Sequence, residues 1–391
     1  MGINFPNAPT TNQLYPQPPV AGLPVYRWDG QKWTTQGAPA TRTPVYTDGS
    51  TPMTAQLTLV APPVNSTDAA AKSYVDGNVS SALHDVGRNL LHNSLFNIQQ
   101  RGAGPWTTNA YTADRWILNV NTDAISATIV SAVDGVRTQI GDEAVQFFFQ
   151  NTFTGSAAAT AATEIIQNIE RVRRLAGKTV TVSFYAVAST AGLKLGLNVF
   201  QYFGSGGSPS AGVYAQATGS VVTLSATWAR YSVTIAIPSA VGKTLGTNND
   251  DFTQLILYLS SGANNNATAG NIGVQSGTVQ LWGMQLEIGS VATPLEKPDP
   301  QQDLAKCQRF YQTSIALLQV YSTAGANFDY GISFATPMRA APTIAFVSIS
   351  YSSASGLTAG NISNAGFNAF ANATATGTVL FSSSFTASAD L

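Results

Sequence analysis

Charge is what this sequence most lacks. Of its 391 residues only 10% are Asp, Glu, Lys or Arg, against roughly 25% in an ordinary globular protein. The net charge is −1, and Lys and Arg nowhere gather into a run. A phosphate-tracking nucleic-acid binder needs clustered cations, so that role is excluded. No stretch of about 18 apolar residues occurs, so no membrane insertion is expected. The opening MGINFPNAPTTNQ lacks the basic region and apolar core of a secretory signal, and synthesis in a cytoplasm is expected. The single cysteine, Cys307, excludes an intrachain disulfide. The only histidines, His84 and His92, lie far upstream of it, so a Cys–His nucleophile has no partner in sequence. In DLAKCQRFYQ, Cys307 shares a helical face with Leu304 and Tyr311 and reads as a buried small apolar residue.

Apolar residues are present in quantity, 44% of the chain, enough for real cores. Ser, Thr, Asn, Gln, Gly and Ala stand where Lys and Glu usually would. Such a surface hydrogen-bonds without much field, and suits a protein outside the cell or locked into an assembly. Residues 1–64 are rich in Pro, Thr and Gln and full of turn signals. Within them YRWDGQKW places Tyr26, Trp28 and Trp33 around an Asp29-Gly30 turn, a hairpin signal. Stacking of Trp28 on Trp33 would make a mini-core; docking to a neighbouring protein and a sugar platform are the functional alternatives.

After Pro62-Pro63, Ser66, Thr67 and Asp68 are good helix starters. Ala71, Val75, Val79, Ala82 and Val86 then recur every three or four residues, close to a coiled-coil seam. One copy of this 65–87 helix, interrupted at Gly77, would be marginal; three on a common axis would bury the stripe. Packing as one amphipathic helix on its own domain is the other reading.

Residues 88–297 alternate strand-length apolar segments with turns. Val180, Val182, Phe184 and Ala186 alternate with Thr181, Ser183 and Tyr185, and Tyr231, Val233, Ile235 and Ile237 repeat the pattern. About eight such strands, with one short helix near 163–176, predict a β-sandwich or jelly roll. Pro298 and Pro300 mark a boundary, followed by a linker helix and a smaller β domain over 298–391, in which AGNISNAGFNAFANATATG is a long loop or hairpin. No 20–50-residue repeat is visible, which argues against a solenoid shaft. The fold class is therefore mainly β, with sandwich modules behind a short N-terminal helical segment.

No catalytic residues emerge. Glycan cleavage needs two carboxylates about 5–9 Å apart, and no pair is recommended by spacing among Asp114, Asp123, Asp134, Asp142, Glu143, Glu164, Glu170, Asp250, Asp251 and Glu287. Asp134-Gly135 and Asn249-Asp250-Asp251 look like turns, and Asp142-Glu143 adjoin a strand start. No metal or cofactor is expected: His84 and His92 lack further ligands, and Asp250 with Asp251 lack the EF-hand spacing, although a calcium site there stays open. His84 reads as a helix-surface residue and His92 as a strand end. GSGGSPSAG lacks the lysine and helix of a phosphate loop. Glycan binding is the chemistry left, with Tyr202, Phe203 and Tyr214 beside that loop as candidates. Each has a core or self-association role as its alternative. Trp106, Trp116, Trp228 and Trp282 are assigned to cores.

The order of these pieces resembles bacteriophage tail-fibre and related virion appendage proteins. NFPNAPTTNQLY with YRWDGQKW looks like their N-terminal tryptophan module. Met53, Thr54 and Leu57, then Asp68, Ala69, Lys72, Tyr74, Val75 and Asp76, are similar to a segment recurring in them. Asn89, Leu90, Asn93, Phe96, Gln100, Arg101 and Gly102, followed by Tyr111 through Trp116, resemble the start of a jelly-roll module. Gln285, Leu286, Glu287, Gly289, Cys307, Gln308, Arg309 and Tyr311 resemble its end, and ATPMRAAPTI a stretch of the following domain. The resemblance thins over 120–175 and after 345.

It implies a homotrimeric, non-enzymatic fibre that docks by its N-terminus, with Tyr26, Trp28 and Trp33 as attachment candidates, on a tail adaptor or nozzle. Its modules would bind a host-surface polysaccharide, and it would be made in the host bacterial cytoplasm. Since no long repetitive shaft is present, a head fibre or capsid decoration protein is the competing reading, and a depolymerase tailspike the third. If Val75, Val79, Ala82 and Val86 form the trimer seam, Val75→Asp with Val79→Asp gives monomers or aggregate by light scattering, because charge buried at an axis is costly. An unchanged trimer would place the assembly energy elsewhere.

Overall fold

The computed structural model describes residues 4–20, 23–36 and 87–391. The helix expected over 65–87, with Val75, Val79, Ala82, Val86 and His84, lies outside them apart from Gly87. The chain divides into two compact units, Met1–Gly77 and Asn78–Leu391.

In the first unit β1 (Leu14–Tyr15), β2 (Val25–Trp28) and β3 (Trp33–Gln36) form one antiparallel sheet. Trp28 pairs with Trp33 across the hairpin, their rings 5.6 Å apart and tilted by 56°. Asp29 sets the turn by accepting from the backbone N–H of Gln31 and of Lys32, both at 2.8 Å. Phe5 stacks on Trp33 at 5.0 Å and meets Tyr26 edge-on at 5.0 Å. The tryptophans thus belong to an aromatic mini-core; Tyr26, Trp28 and Trp33 are all partly exposed.

The second unit holds a sandwich of two antiparallel sheets. Its strands are β4 (Ala110–Tyr111), β5 (Trp116–Asn121), β6 (Ala124–Ser131), β7 (Phe147–Thr154), β8 (Ala162–Glu170) and β9 (Thr179–Ala188). There follow β10 (Lys194–Tyr202), β11 (Val213–Tyr214), β12 (Ser220–Thr223), β13 (Ala229–Ala236), β14 (Phe252–Ser261) and β15 (Ser276–Ile288). One sheet runs β13-β9-β15-β7-β6, the other β11-β10-β14-β8-β5-β4 with β12 on β10. Val180, Val182, Phe184 and Ala186 face inward against Leu195, Leu197, Leu255, Leu257, Ile165 and Trp116. At about 1.5–3 kcal/mol per buried large side chain, this core is the principal stabilising term. Trp282, opposite Tyr185, points outward by alternation into a second cluster with Phe148 and Trp228, and a register shift between Trp282 and Gln285 then brings Met284 and Leu286 back to the main core. Gly283 allows it at φ +61°, where a Cβ would come within 2.8 Å of Leu295.

Four local expectations need correction. The helix expected near 163–176 is the strand β8 plus one 3₁₀ turn, Val172–Arg174. β8 is central, between β14 and β5, and buried on both faces, so its alternation is hidden in the sequence. Asp134-Gly135, expected as a turn, opens the helix Asp134–Ile140, which ends at Gly141 in the left-handed conformation, φ 76°. Asp142 and Glu143 accordingly follow a helix end and do not adjoin a strand. His92 is no strand end: it sits in the irregular segment before β4, its ring 5.9 Å from Phe310. Burial, reinforced by Arg115, holds its pKa well below the ordinary value.

The linker helix spans Pro300–Gln308, capped by Asp299 on the N–H groups of Gln301 and Gln302. Cys307 is fully buried, its thiol pKa pushed well up by burial. Beyond it lie β16 (Tyr311–Ser322), β17 (Asn327–Ser333), β18 (Thr343–Ser352), β19 (Ala354–Gly360), β20 (Gly366–Ala373) and β21 (Gly377–Ser388). They pair as β16-β21-β18 and β17-β20-β19, around Phe367, Phe381 and Phe385. The AGNISNAGFNAFANATATG segment is thereby resolved as a hairpin.

The motif residues converge where the sandwich meets the linker. The Asn93 amide donates to the carbonyls of Ile98 and Asp114, and its Oδ1 accepts from Ile98 N–H. Its own N–H donates to Asp303 Oδ1 at 3.0 Å. Asp114 accepts from Gln100 twice, and the Arg115 guanidinium lies 3.3 Å from the centre of the Phe310 ring. Asp303→Ala would strand the Asn93 N–H in a buried site, at a cost of about 1–3 kcal/mol. Urea unfolding should show that loss without a change in slope, and a smaller one for Asp303→Asn, which keeps an acceptor.

Candidate glycan-binding cleft

The outer face of the β11-β10-β14-β8-β5-β4 sheet carries a different set of side chains from its inner face. Alternation puts Ile117 and Asn119 of β5, Glu164, Ile166 and Asn168 of β8, and Gln254, Ile256 and Tyr258 of β14 outward. The registers align them in rows across the strands. Ile117, Ile166 and Ile256 make an apolar row; Asn119, Glu164 and Tyr258 flank it on one side, Asn168, Gln254 and Phe200 on the other.

A cleft of about 530 Å³ opens over these rows. Tyr214 of β11 and Tyr111 of β4 stand at opposite ends, and Asn109 and Asn265 complete its wall. Five strand spacings separate the two tyrosines, on the order of 20 Å along a curved sheet. The loop 262–273 covers the strand ends above Tyr258. It crosses so close that a Cβ on Gly196 would lie 2.1 Å from the Ala269 carbonyl oxygen. Asn198 pins it, donating to the carbonyls of Gln216 and Thr268, each at 2.9 Å.

Within the cleft Glu164 is 8% exposed and accepts from Asn119 Nδ2 at 2.7 Å. Burial raises its pKa above the ordinary carboxylate value, partly offset by that hydrogen bond. Gln254, which lines the cleft, donates from Nε2 to Asn168 Oδ1 at 2.9 Å. The Tyr258 hydroxyl is pushed upward by burial and by the nearby Glu164. The arrangement offers apolar floor, amide donors and acceptors and one carboxyl group, between two tyrosine rings.

Of the aromatic candidates, Tyr214 belongs to this cleft, 39% exposed with its ring 4.8 Å from Phe200. Tyr202 lies on the same face but beyond the cleft, against Phe252 at 4.9 Å. Phe203 is not exposed: it is 1% accessible, in a small core with Val172 and Ala240. The Gly-Ser loop after it folds back because Asp250 accepts from Ser205 N–H at 2.7 Å. Asp251 accepts from Val172 N–H at 2.8 Å, so both carboxylates serve loop packing. Trp116, Trp228 and Trp282 are core, and Trp106, partly buried, packs against the main core. Among the described residues no group of three or more His, Cys, Asp or Glu is placed to hold a metal ion. No described helix is long and apolar enough to cross a membrane.

The cleft residues Asn119, Glu164 and Gln254 escape an aromatic-led reading of the sequence. Their signal is polar side chains set among apolar ones within a strand-length segment, as in TEIIQNIE. Because Glu164 is raised in the folded state, its ionisation opposes folding: the favourable contribution holds below the ordinary carboxylate range and is lost as pH rises through the folded value. Glu164→Gln should therefore be at least as stable as the wild type at neutral pH. That advantage should vanish in thermal melts as pH falls toward about 4.

No family model and no curated protein matches the chain. Among solved structures, the enzymatically active domain of bacteriophage CBA120 tailspike protein 4 aligns at 13% identity with a TM-score of 0.29, over 52% of this chain and 22% of that one. The family 11 carbohydrate-binding module of Clostridium thermocellum, in complex with a β-1,3-1,4-mixed-linked tetrasaccharide, aligns at 10% identity and TM-score 0.28, over 46% and 91%. The CBM22-1 xylan-binding domain of Paenibacillus barcinonensis aligns at 10% identity and TM-score 0.28, over 53% and 97%. The chain spans less than a quarter of the tailspike structure that it matches.

Proposed function

We propose that this chain is a bacteriophage virion fibre protein that recognises a host-surface polysaccharide through the cleft on the outer sheet face. The observation that carries this reading is the apolar row of Ile117, Ile166 and Ile256 between two polar rows. A pyranose has an apolar face and a rim of hydroxyls, and the rows match that division. Tyr111 and Tyr214 add rings at the ends of the cleft. Virion attachment is assigned to the N-terminal module, with Tyr26, Trp28 and Trp33 as contacts, on a tail adaptor or on capsid protein.

Three copies would multiply a weak single-site affinity. Support for self-association comes from the last domain as well as from the three- and four-residue spacing of Val75, Val79, Ala82 and Val86 in the sequence. Residues 311–391 carry only Asp329, Arg339 and Asp390 as charges, while Ile315, Leu317, Tyr321 and Val347 stand exposed on β16 and β18. The tail is the preferred location, the head the alternative.

A depolymerase is the second reading, favoured by one observation: a buried carboxyl of raised pKa in the cleft is what a general acid requires. Hydrolysis also needs a partner carboxylate. Among the described residues lining the cleft Glu164 is the one acid, so binding without cleavage is preferred.

Tyr214→Ala with Gln254→Ala should lower affinity for host polysaccharide at least tenfold, about 1.4 kcal/mol, with the polymer's length unchanged after incubation. Shortened chains would establish the enzyme instead, and undiminished binding would remove the cleft from the proposal. Antibody labelling of intact particles assigns tail or head.

A further inference from the structure

Resting on the glycan reading of the cleft, we infer that its ligand is an electrically neutral polysaccharide, a chain of pyranoses without uronate, sulfate or phosphate groups. Beside Glu164 and the hydroxyls of Tyr111 and Tyr214, the polar groups lining the cleft are amides: Asn109, Asn119, Gln254 and Asn265. Amides donate and accept equally well, which suits hydroxyls, each of which does both. Among the described residues lining the cleft none is Lys, Arg or His. Recognition of a carboxylate or sulfate ordinarily uses a cation, most often the guanidinium fork, and here that component is missing.

The charged groups near the cleft are already committed elsewhere. Arg115 is buried beneath the sheet edge against Phe310 and donates to the Asn168 carbonyl. Arg101 pairs with Asp390 at 2.5 Å, and Arg309 pairs with Glu170. None of the three lines the cleft. What the cleft does hold is Glu164, fixed by Asn119. An acidic sugar would bring a second carboxylate toward it in a partly desolvated site, and like charges disfavour each other most where water is excluded. A neutral ring meets no such opposition, and its hydroxyls can donate to Glu164.

The test is affinity electrophoresis and calorimetry of the full chain with polymers matched in backbone and differing in charge. Unmodified glucan is set against carboxymethyl glucan, and methyl-esterified galacturonan against its de-esterified form, beside neutral mannan and xylan and acidic alginate and hyaluronan. Tyr214→Ala with Gln254→Ala is run in parallel. The expected result is binding to one or more neutral polymers, at least tenfold weaker for the charged member of a pair, insensitive to salt, and lost in the cleft variant. Tighter, salt-sensitive binding of acidic polymers that the cleft variant abolishes would overturn neutrality and leave the glycan reading standing. Binding to none of these polymers, or binding that the cleft variant leaves intact, would overturn the cleft reading and this inference together.

Discussion

The bond from the Asn93 N–H to Asp303 Oδ1 joins the entry of the sandwich to the helix that leaves it. Both partners are buried: Asn93 has no exposed surface, and Asp303 is 5% exposed. A polar pair is retained in such a place only when its hydrogen bonds are complete, because each missing one costs more than a formed one contributes. Asn93 meets that condition by bonding Ile98 and Asp114 as well, and its carbonyl accepts from Trp116 Nε1 at 3.1 Å. Three separate stretches of chain, 93–98, 114–116 and the helix at Asp303, are thereby held together. β5, which pairs with the central strand β8 of the sheet that carries the cleft, begins at this point.

A sandwich has two outer faces, and the one bearing the cleft is roofed in part by chain. The loop 262–273 lies over the end of the sheet and buries Tyr258, with Ala269 and Ile272 packed on Ile166 and Ile256. The close approach at Gly196 fixes how low that loop sits. The opposite sheet spends its outer face differently. Trp282, Phe148 and Trp228 form a second core beneath the helix Asp134–Ile140, which fills the surface that a ligand would otherwise use. One sheet is therefore closed by apolar packing, while the other keeps an open groove with Ile117, Ile166 and Ile256 at its floor and polar side chains on either side.

Period-two patterning made the edge and half-buried strands legible. β13 alternates in the structure as in the sequence, because one of its faces meets water. β8 did not read as a strand because Ala162–Ile169 is buried throughout, and a residue buried on either face need not be polar. Asp134-Gly135 misled for a local reason: an Asp-Gly pair favours a turn, but Asp134 begins a helix whose first turn an acidic side chain stabilises. Cys307, Trp116 and Trp282 were placed correctly because large or soft apolar side chains are seldom left in water. The aromatic criterion found one residue of the cleft, Tyr214, and missed its polar rows, whose membership depends on cross-strand register. Register is a property of pairing that no single segment contains.

This division explains why resemblance to virion appendage proteins speaks to architecture more than to ligand. Asn89, Asn93, Gln100, Asp114, Arg115, Gln285 and Glu287 bond to one another, to the linker, or to the segment 293–296. They build the joint and none of them lines the cleft. Glu164 and Ile166 lie in the stretch, 120–175, where the resemblance thins, and Gln254, Ile256 and Asn265 lie between the motifs that open and close the module. Rows of side chains on a sheet face can be exchanged without touching the joint, since each points away from the shared core and bonds chiefly to its cross-strand neighbour. A scaffold fixed by a buried polar node and a face free to vary is how one fold hosts many ligands. In this chain the face carries amides around a single carboxyl group, and on the proposed reading the selectivity of the cleft rests on that set of side chains.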